Sequence, residues 1–488
     1  MSAPSLSRFV NCSPMLLALG LLTLSTQPVF AAPNTGSPLG INVTDINDFT
    51  PEVVFTDFIK QMRGWEDSRT GDAFPQSQLD SCGWVKSLLT GQEAWLGYGA
   101  GTEGHFPTGT YTCLYDGSGT IEGRMGATVI NRQPGKITFD VKNTDPWFGL
   151  RITATDPQNY IRNIRFILPG FANTYQSQLF HPQYLEHLSK FRILRFMDIG
   201  HANGSKVKEW SDIKKGNWFT QCSSDYRYEQ SSPELMIRLC NTLGADGWFC
   251  MPFQASDSCI TRYAQLIRDS LRSDCKAYIE YSNEVWNWGF EQAGYAKEQG
   301  MRLGLPGNDG NVTQGSAEYY AYRSAQIWRI FETVFSGQTN RIVKVLGGQA
   351  AWSGLFDEMF RILDDAKYNP GNTRPDVLAV APYFGFELGN GDMHGLSADQ
   401  LMDRIFSEAL PQASQWIKEC SSMARAHNCR LVAYEGGQHL YPGTDTMKLR
   451  LFTECNRSPR MKTAYLQYLK DWFAQGGDVF VHYSSCGL

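Results

Sequence analysis

Histidine is scarce in this sequence, eight in 488 residues. None forms an HExxH pair, which excludes the helix-borne zinc site of a metallopeptidase. No GxSxG stands anywhere, so the nucleophile elbow of a serine hydrolase is missing, and a P-loop is missing too. No two cysteines are spaced as CxxC, which argues against a zinc ribbon. An excess of positive charge is also lacking. Lys and Arg total 44 against 49 Asp and Glu, a formal net charge of −5, so nothing marks a nucleic-acid partner or an anionic membrane. Beyond the N-terminal leader no run approaches the roughly 18 apolar residues of a spanning helix. Low-complexity tracts, long charge runs and solenoid-period repeats do not occur. No cofactor is expected.

What is present begins with the leader. Arg8 precedes the apolar run Met15–Leu24, and Val29-Phe30-Ala31 ends it with small residues at the cleavage positions. This predicts a secretory signal peptide over 1–31 and an exported protein, secreted or periplasmic. Cys12 leaves with the leader and eleven cysteines remain. In an oxidising compartment disulfides are the default. Cys420 and Cys429 are near enough in sequence to pair, and Cys250, in an apolar run, is the candidate free thiol. Asn42, Asn203 and Asn311 each open a glycosylation sequon, relevant in a eukaryotic host. Aromatics are abundant, at 13% with 13 Trp and 22 Tyr. They fit either a large aromatic core or platforms for flat ligands such as sugar rings.

From about residue 165 short apolar runs alternate with amphipathic helical stretches. The runs are 192–197, 247–252, 277–281, 342–346, 377–382, 430–434 and 479–483, and 40–43 offers an eighth. Helical stretches include 233–242, 259–272, 317–335, 398–424 and 462–475. Nearly continuous apolar strands separated by helices indicate a parallel sheet covered by helices, and eight strands close a (β/α)8 barrel. The rival, a doubly wound open sheet, wants GxGxxG opening a helix. Gly99, Gly101 and Gly104 spell it once, but β-prone segments follow. Segments 109–115, 119–122, 127–131, 136–141 and 149–154, punctuated by turn pairs, predict an antiparallel β-rich module inserted after the first barrel strand. The expected organisation is a signal peptide over 1–31, first strand and helix over 32–66, the module over 67–168 and the remaining barrel over 169–488. The module either braces the barrel or binds glycan.

Two glutamates carry the chemistry. The fourth strand run leads into Asn283-Glu284, and the seventh into Glu435-Gly436-Gly437. Strand C-terminal ends of a barrel share one rim, where active sites lie, so residues 151 apart in sequence can face each other. Two such carboxyls suit glycoside hydrolysis, one protonated to donate and one ionised to attack. Arg195 can keep Glu435 ionised, Tyr383 can orient it, and Asn283 can bind the sugar hydroxyl beside the anomeric carbon. Trp286, Trp288 and Trp352 stand in rim loops where they can stack on sugar, and Gly436-Gly437 allows close approach of backbone and substrate.

Asn-Glu after strand four and a Glu after strand seven resemble the clan of retaining (β/α)8-barrel glycoside hydrolases that includes cellulases, mannanases, xylanases and β-glycosidases. More closely, RFMD, WFCMP, EYSNEVWN and APYFG are similar to secreted bacterial proteins labelled cellulose-binding. The resemblance implies Glu284 as acid/base and Glu435 as nucleophile, supported by Arg195, Asn283 and Tyr383. Two clan features are replaced: Ala381 stands where many members have His, and His482-Tyr483-Ser484 where many have a strand-eight Trp. His439 is a candidate substitute. Only five residues follow Tyr483, so the last covering helix is expected to be missing unless the N-terminal segment replaces it. The expected function is a secreted, monomeric retaining glycosidase acting on β-linked polysaccharide, with a polysaccharide or oligosaccharide as its partner. The alternative is a non-catalytic glycan-binding protein on the same barrel. A carboxyl gap of about 5–5.5 Å fits retention, and one far beyond it fits binding alone.

Overall fold

The computed structural model describes residues 36–99, 102, 105–307 and 312–486. The leader with Cys12, Gly101, Gly104 and Asn311 lie outside the described residues. Eight parallel strands close into one barrel: β1 (Leu39–Asn42), β2 (Ile193–Arg195), β3 (Asp246–Met251), β4 (Ala277–Tyr281), β5 (Ile342–Gly347), β6 (Val377–Val380), β7 (Arg430–Ala433) and β8 (Gly477–His482). Neighbours pair in chain order, and β8 returns to β1 with Phe480 opposite Leu39. The apolar sequences follow from burial on both faces, one parity filling the barrel and the other meeting helices. On β3, Trp248 and Cys250 meet Glu280 of the adjacent β4 inside the barrel, while Phe249 meets Tyr263 on the helix Asp257–Ser270.

Local signals place the helices. Ser232 and Ser256 accept from the backbone N–H groups of Leu235 and Cys259 and so cap the helices Pro233–Leu243 and Asp257–Ser270. Gly244, at φ 64°, ends the first of these in the left-handed conformation. The stretch expected as one helix over 398–424 is interrupted. Ala398–Arg404 passes into a π turn, Ile405–Ala409, before Leu410–Ala426 continues. Pro411 supplies no N–H and crowds the preceding turn, and the wider turn accommodates it. After β1 the chain makes a 3-10 turn, Phe58–Gln61, where a helix was expected; the helix leading into β2 is Pro182–Leu188, beyond the module.

The module comprises two four-stranded antiparallel sheets. One runs Glu66–Asp67, Ala94–Tyr98, Phe148–Thr155, Gly119–Met125; the other runs Ala127–Gln133, Lys136–Val141, Gly109–Asp116, Arg162–Ile167. It has its own core, centred on Phe148 among Phe58, Tyr98, Phe106, Tyr111 and Phe166. The barrel contributes to that core: Trp218 and Phe219, from the long loop after β2, are buried in it, with Phe219 stacked on Trp65.

The cysteines depart from expectation. Cys420 and Cys429 do not pair; their thiols face the carbonyls of Ala350 and Pro375. Cys250 is a buried free thiol, but so are Cys113, Cys222, Cys240, Cys259, Cys275 and Cys455. Each serves as a small apolar core residue and forms no disulfide.

Candidate active site

The site is assembled at the C-terminal rim of the barrel around one guanidinium. Arg195, at the end of β2, is completely buried. Its Nε and Nη2 donate to Glu280 Oε2 at 3.2 and 2.9 Å, and Nη2 also donates to Asn283 Oδ1 at 2.8 Å. Nη1 donates to Asn42 Oδ1 at 3.0 Å and to Glu435 Oε1 at 2.9 Å. The rings of Tyr434 and Trp248 flank it at 4.9 and 5.6 Å. A planar fork is needed here, because a lysine could not reach four partners in fixed directions. Burial opposes the charge, but the carboxylates of Glu280 and Glu435 outweigh it and hold Arg195 cationic.

Glu435 stands just past β7, after Tyr434. Besides Arg195, its Oε2 accepts from the Tyr383 hydroxyl at 3.0 Å. Tyr383 is brought there because the β6 and β7 loops pair: Phe384 N donates to Gly437 O, and His439 N to Phe384 O. The Glu435 carboxyl is raised to about 8, burial being the largest cause, with Arg195 lowering it and the Glu284 carboxylate raising it further. The two acids are therefore coupled: a proton on Glu284 makes Glu435 easier to ionise.

Glu284 is half-buried and sits on a strained turn. Ser282 has φ 58° and Glu284 φ 40°, both left-handed and neither glycine. The turn lifts the carboxyl off the strand axis. Oε1 then accepts from the Tyr434 hydroxyl at 2.6 Å, and Oε2 from Asn287 Nδ2 at 2.8 Å. The two acids differ in environment. Glu435 has a cation and a hydroxyl, whereas Glu284 accepts from two neutral groups, Tyr434 and Asn287. Tyr434 ties them together, since its ring touches Arg195, its hydroxyl meets Glu284, and it precedes Glu435 in the chain.

The other expected site residues divide. Asn283 is buried and committed within the protein, accepting from Arg195 and donating to Asn203 Oδ1 at 3.0 Å. Trp286 is 6% exposed and packs edge-on against Tyr320 over Gly347, so it is a wall and not an open platform. Trp288, at 59%, and Trp352, at 36%, present surface on the rim. His439 is half-buried between Tyr383 and Phe386, with ring centroids at 5.1 and 5.0 Å. Burial keeps it below its ordinary range. Gly436 and Gly437 make room for scaffold, not substrate: a Cβ on Gly436 would lie 2.4 Å from Phe480, and one on Gly437 2.9 Å from the Tyr465 hydroxyl. At the end of β8 Tyr483 is half exposed and close enough for the charge on Glu435 to act on it.

Sequence reasoning missed Glu280, Asn42, Tyr434, Asn203 and Asn287. Glu280 had a signal, a carboxylate inside an apolar strand run, which needs a buried partner. Asn42 also had one, as a polar residue closing β1; its Nδ2 donates to the carbonyls of Tyr434 and His482 at 2.9 and 3.2 Å, binding three strand ends together. Among the described residues no group of three or more His, Cys, Asp or Glu could hold a metal ion.

No family model matches this chain, and no curated protein matches it. Similar solved structures include a GH51 arabinofuranosidase from Xanthomonas axonopodis pv. citri, at 15% identity and TM-score 0.37, covering 64% of this chain and 61% of that one. A GH10 protein from Paenibacillus barcinonensis is similar at 11% identity and TM-score 0.34, covering 62% and 80%. A modular endo-β-1,4-mannanase from Cellulomonas fimi is similar at 11% identity and TM-score 0.32, covering 60% and 57%. The chain thus spans less than two thirds of the arabinofuranosidase and of the mannanase.

Proposed function

We propose that this protein is a retaining glycoside hydrolase that cleaves β-linked polysaccharide outside the cell. Glu435 attacks the anomeric carbon as its bond to the leaving oxygen breaks, and Glu284 gives that oxygen its proton. Glu284, now a carboxylate, takes a proton from water; the water attacks the anomeric carbon and releases Glu435. No external oxidant or cofactor enters the balance. The observation that carries the assignment is the asymmetry of support. Arg195 Nη1 lies 2.9 Å from Glu435, the carboxyl that must be anionic to attack, while Glu284 rests on the neutral groups of Tyr434 and Asn287. Protonating Glu284 removes one of the charges that oppose ionising Glu435, so attack requires that the pair's shared proton sit on Glu284.

The test is a pair of variants on a panel of plant and microbial glycans, read by new reducing ends. Glu435→Gln abolishes hydrolysis and leaves glycan binding largely intact. Glu284→Ala fails on substrates with poor leaving groups and is rescued by azide. Full activity of Glu435→Gln sinks the assignment, azide rescue at position 435 reverses the roles, and binding without turnover in the wild type supports the non-catalytic alternative. Export is part of the proposal and is checked by N-terminal sequencing of the mature protein.

A further inference from the structure

One feature that the two-acid chemistry leaves unused is a cavity of about 690 Å³ lined by the long loop after β2 and by Arg63. Arg63 brings the module's edge to it. Arg63 donates its backbone N–H to Gly97 on a module strand and lies 4.6 Å over the Trp147 ring. The facing wall is the loop after β2, which is pinned to the catalytic rim at two points. Asn203 accepts from Asn283, and Ser223 Oγ donates to Asp45 Oδ2 at 2.7 Å just beyond β1. The loop that lines the cavity is therefore tied to the rim that carries Glu284 and Glu435.

Its lining has the makings of a sugar site. Tyr226 is 49% exposed, yet its hydroxyl is fixed by Glu66 Oε1 at 2.9 Å. The ring lies directly on Gly64, where a Cβ would come within 2.9 Å of it, so the other side is open to the cavity. Three cationic side chains, Arg63, Lys206 and Arg227, are matched by three anionic ones, Asp212, Asp225 and Glu229. Most are already engaged: Arg63 with Asp48 and Glu66, Lys206 with Glu291, Asp225 with Lys214 and Glu229 with His201. A cavity whose charges cancel and are internally paired offers hydrogen-bonding groups in fixed positions without net attraction for an anion. An aromatic face beside such groups fits a neutral polyhydroxylated ring.

We propose that this cavity is an outlying subsite for a neutral oligosaccharide segment, with Tyr226 as its stacking platform. This rests on the glycosidase reading above and deepens it. In an eight-strand ring β2 lies across from β6. A chain extended from the cavity across the barrel mouth would pass the two glutamates toward Trp352 and Phe386, the exposed aromatics beyond β5 and β6. The substrate is a chain of several sugars held on both sides of the scissile bond.

The test compares wild type, Tyr226→Ala and Tyr226→Phe on cello-, xylo- and manno-oligosaccharides from disaccharide to hexasaccharide. The expected result is that the hexasaccharide-to-disaccharide ratio of kcat/KM falls about tenfold in Tyr226→Ala, equivalent to about 1.4 kcal/mol, and is held by Tyr226→Phe, which keeps the ring. An unchanged ratio in Tyr226→Ala, with both substrates affected alike or neither affected, overturns the subsite. If the wild type cleaves nothing, the glycosidase reading has failed and the subsite is judged by calorimetric titration of the same oligosaccharides. Weaker binding in Tyr226→Ala then upholds it, while equal binding or none overturns it. Salt-sensitive binding of oligogalacturonate in preference to the neutral ladder also overturns it.

Discussion

Glu280 is the residue whose role is least visible in isolation. It is 1% exposed, and its Oε2 accepts from Arg195 Nε and Nη2, from Trp248 Nε1 at 2.8 Å and from Cys250 Sγ at 3.4 Å. It touches no reacting atom, but it fixes the direction in which Arg195 presents Nη1 to Glu435, so it is a positioning residue. Glu280→Gln keeps the volume and removes the charge that anchors the guanidinium. A misplacement of about 1 Å can cost about a hundredfold, and we expect kcat/KM to fall by about that factor with the circular dichroism spectrum unchanged. Glu280→Asp, which keeps the charge, should recover part of the loss. Loss of fold in Glu280→Gln, or no recovery in Glu280→Asp, would assign Glu280 to stability alone. At this scale the sequence made Glu284 and Glu435 legible because each stands where an apolar run yields to loop. Glu280 sits one position before the strand ends and read as part of it.

At the scale of elements, the turn after β4 holds the acid in place under strain. Ser282 adopts φ 58°, is buried, and its Oγ has no hydrogen-bond partner. Left-handed backbone at a non-glycine residue costs on the order of 1–3 kcal/mol. Ser282→Gly should therefore stabilise the protein by about 1 kcal/mol while lowering kcat, since the turn that aims Glu284 loses its constraint; thermal unfolding and turnover measured on the same preparation check both. A lower melting temperature would show that the strain account is wrong. Element order was readable from periodicity, and the eight runs became the eight strands. Ala94–Tyr98 and Arg162–Ile167 were not read as module strands, although Gly99 follows the first and Pro169-Gly170 closely follows the second. The break at Ile405–Ala409 was concealed by an unbroken amphipathic pattern, although Pro411 was its signal.

Across the whole molecule, buried acids link stability to pH. Burial is the largest cause raising Glu435 to about 8, Glu52 to about 7 and Asp198 to about 6. Each binds its proton more tightly folded than unfolded. Between the ordinary carboxylate range and these values the native state therefore holds more protons, and stability falls as pH rises. We expect the melting temperature to decline from about pH 5 to about pH 8, and the decline to be shallower in Glu435→Gln, which cannot ionise. Parallel curves for wild type and variant would show that Glu435 does not contribute. The price of a dry, anion-bearing rim is then visible as lost stability in the pH range where Glu435 ionises.

The sequence by itself determined the parallel barrel, the antiparallel insertion and the placing of two glutamates at strand ends. These follow from local periodicity and from the rule that parallel strands are buried on both faces. Only the tertiary structure decided the company those glutamates keep. Arg195 meets partners 85, 88, 153 and 240 positions away, Tyr434 reaches Glu284 over 150 positions, and the β2 loop meets Arg63 to form a cavity. Such contacts depend on how a ring of strands closes and on which loop folds back over which rim, and no short-range pattern in the chain encodes either.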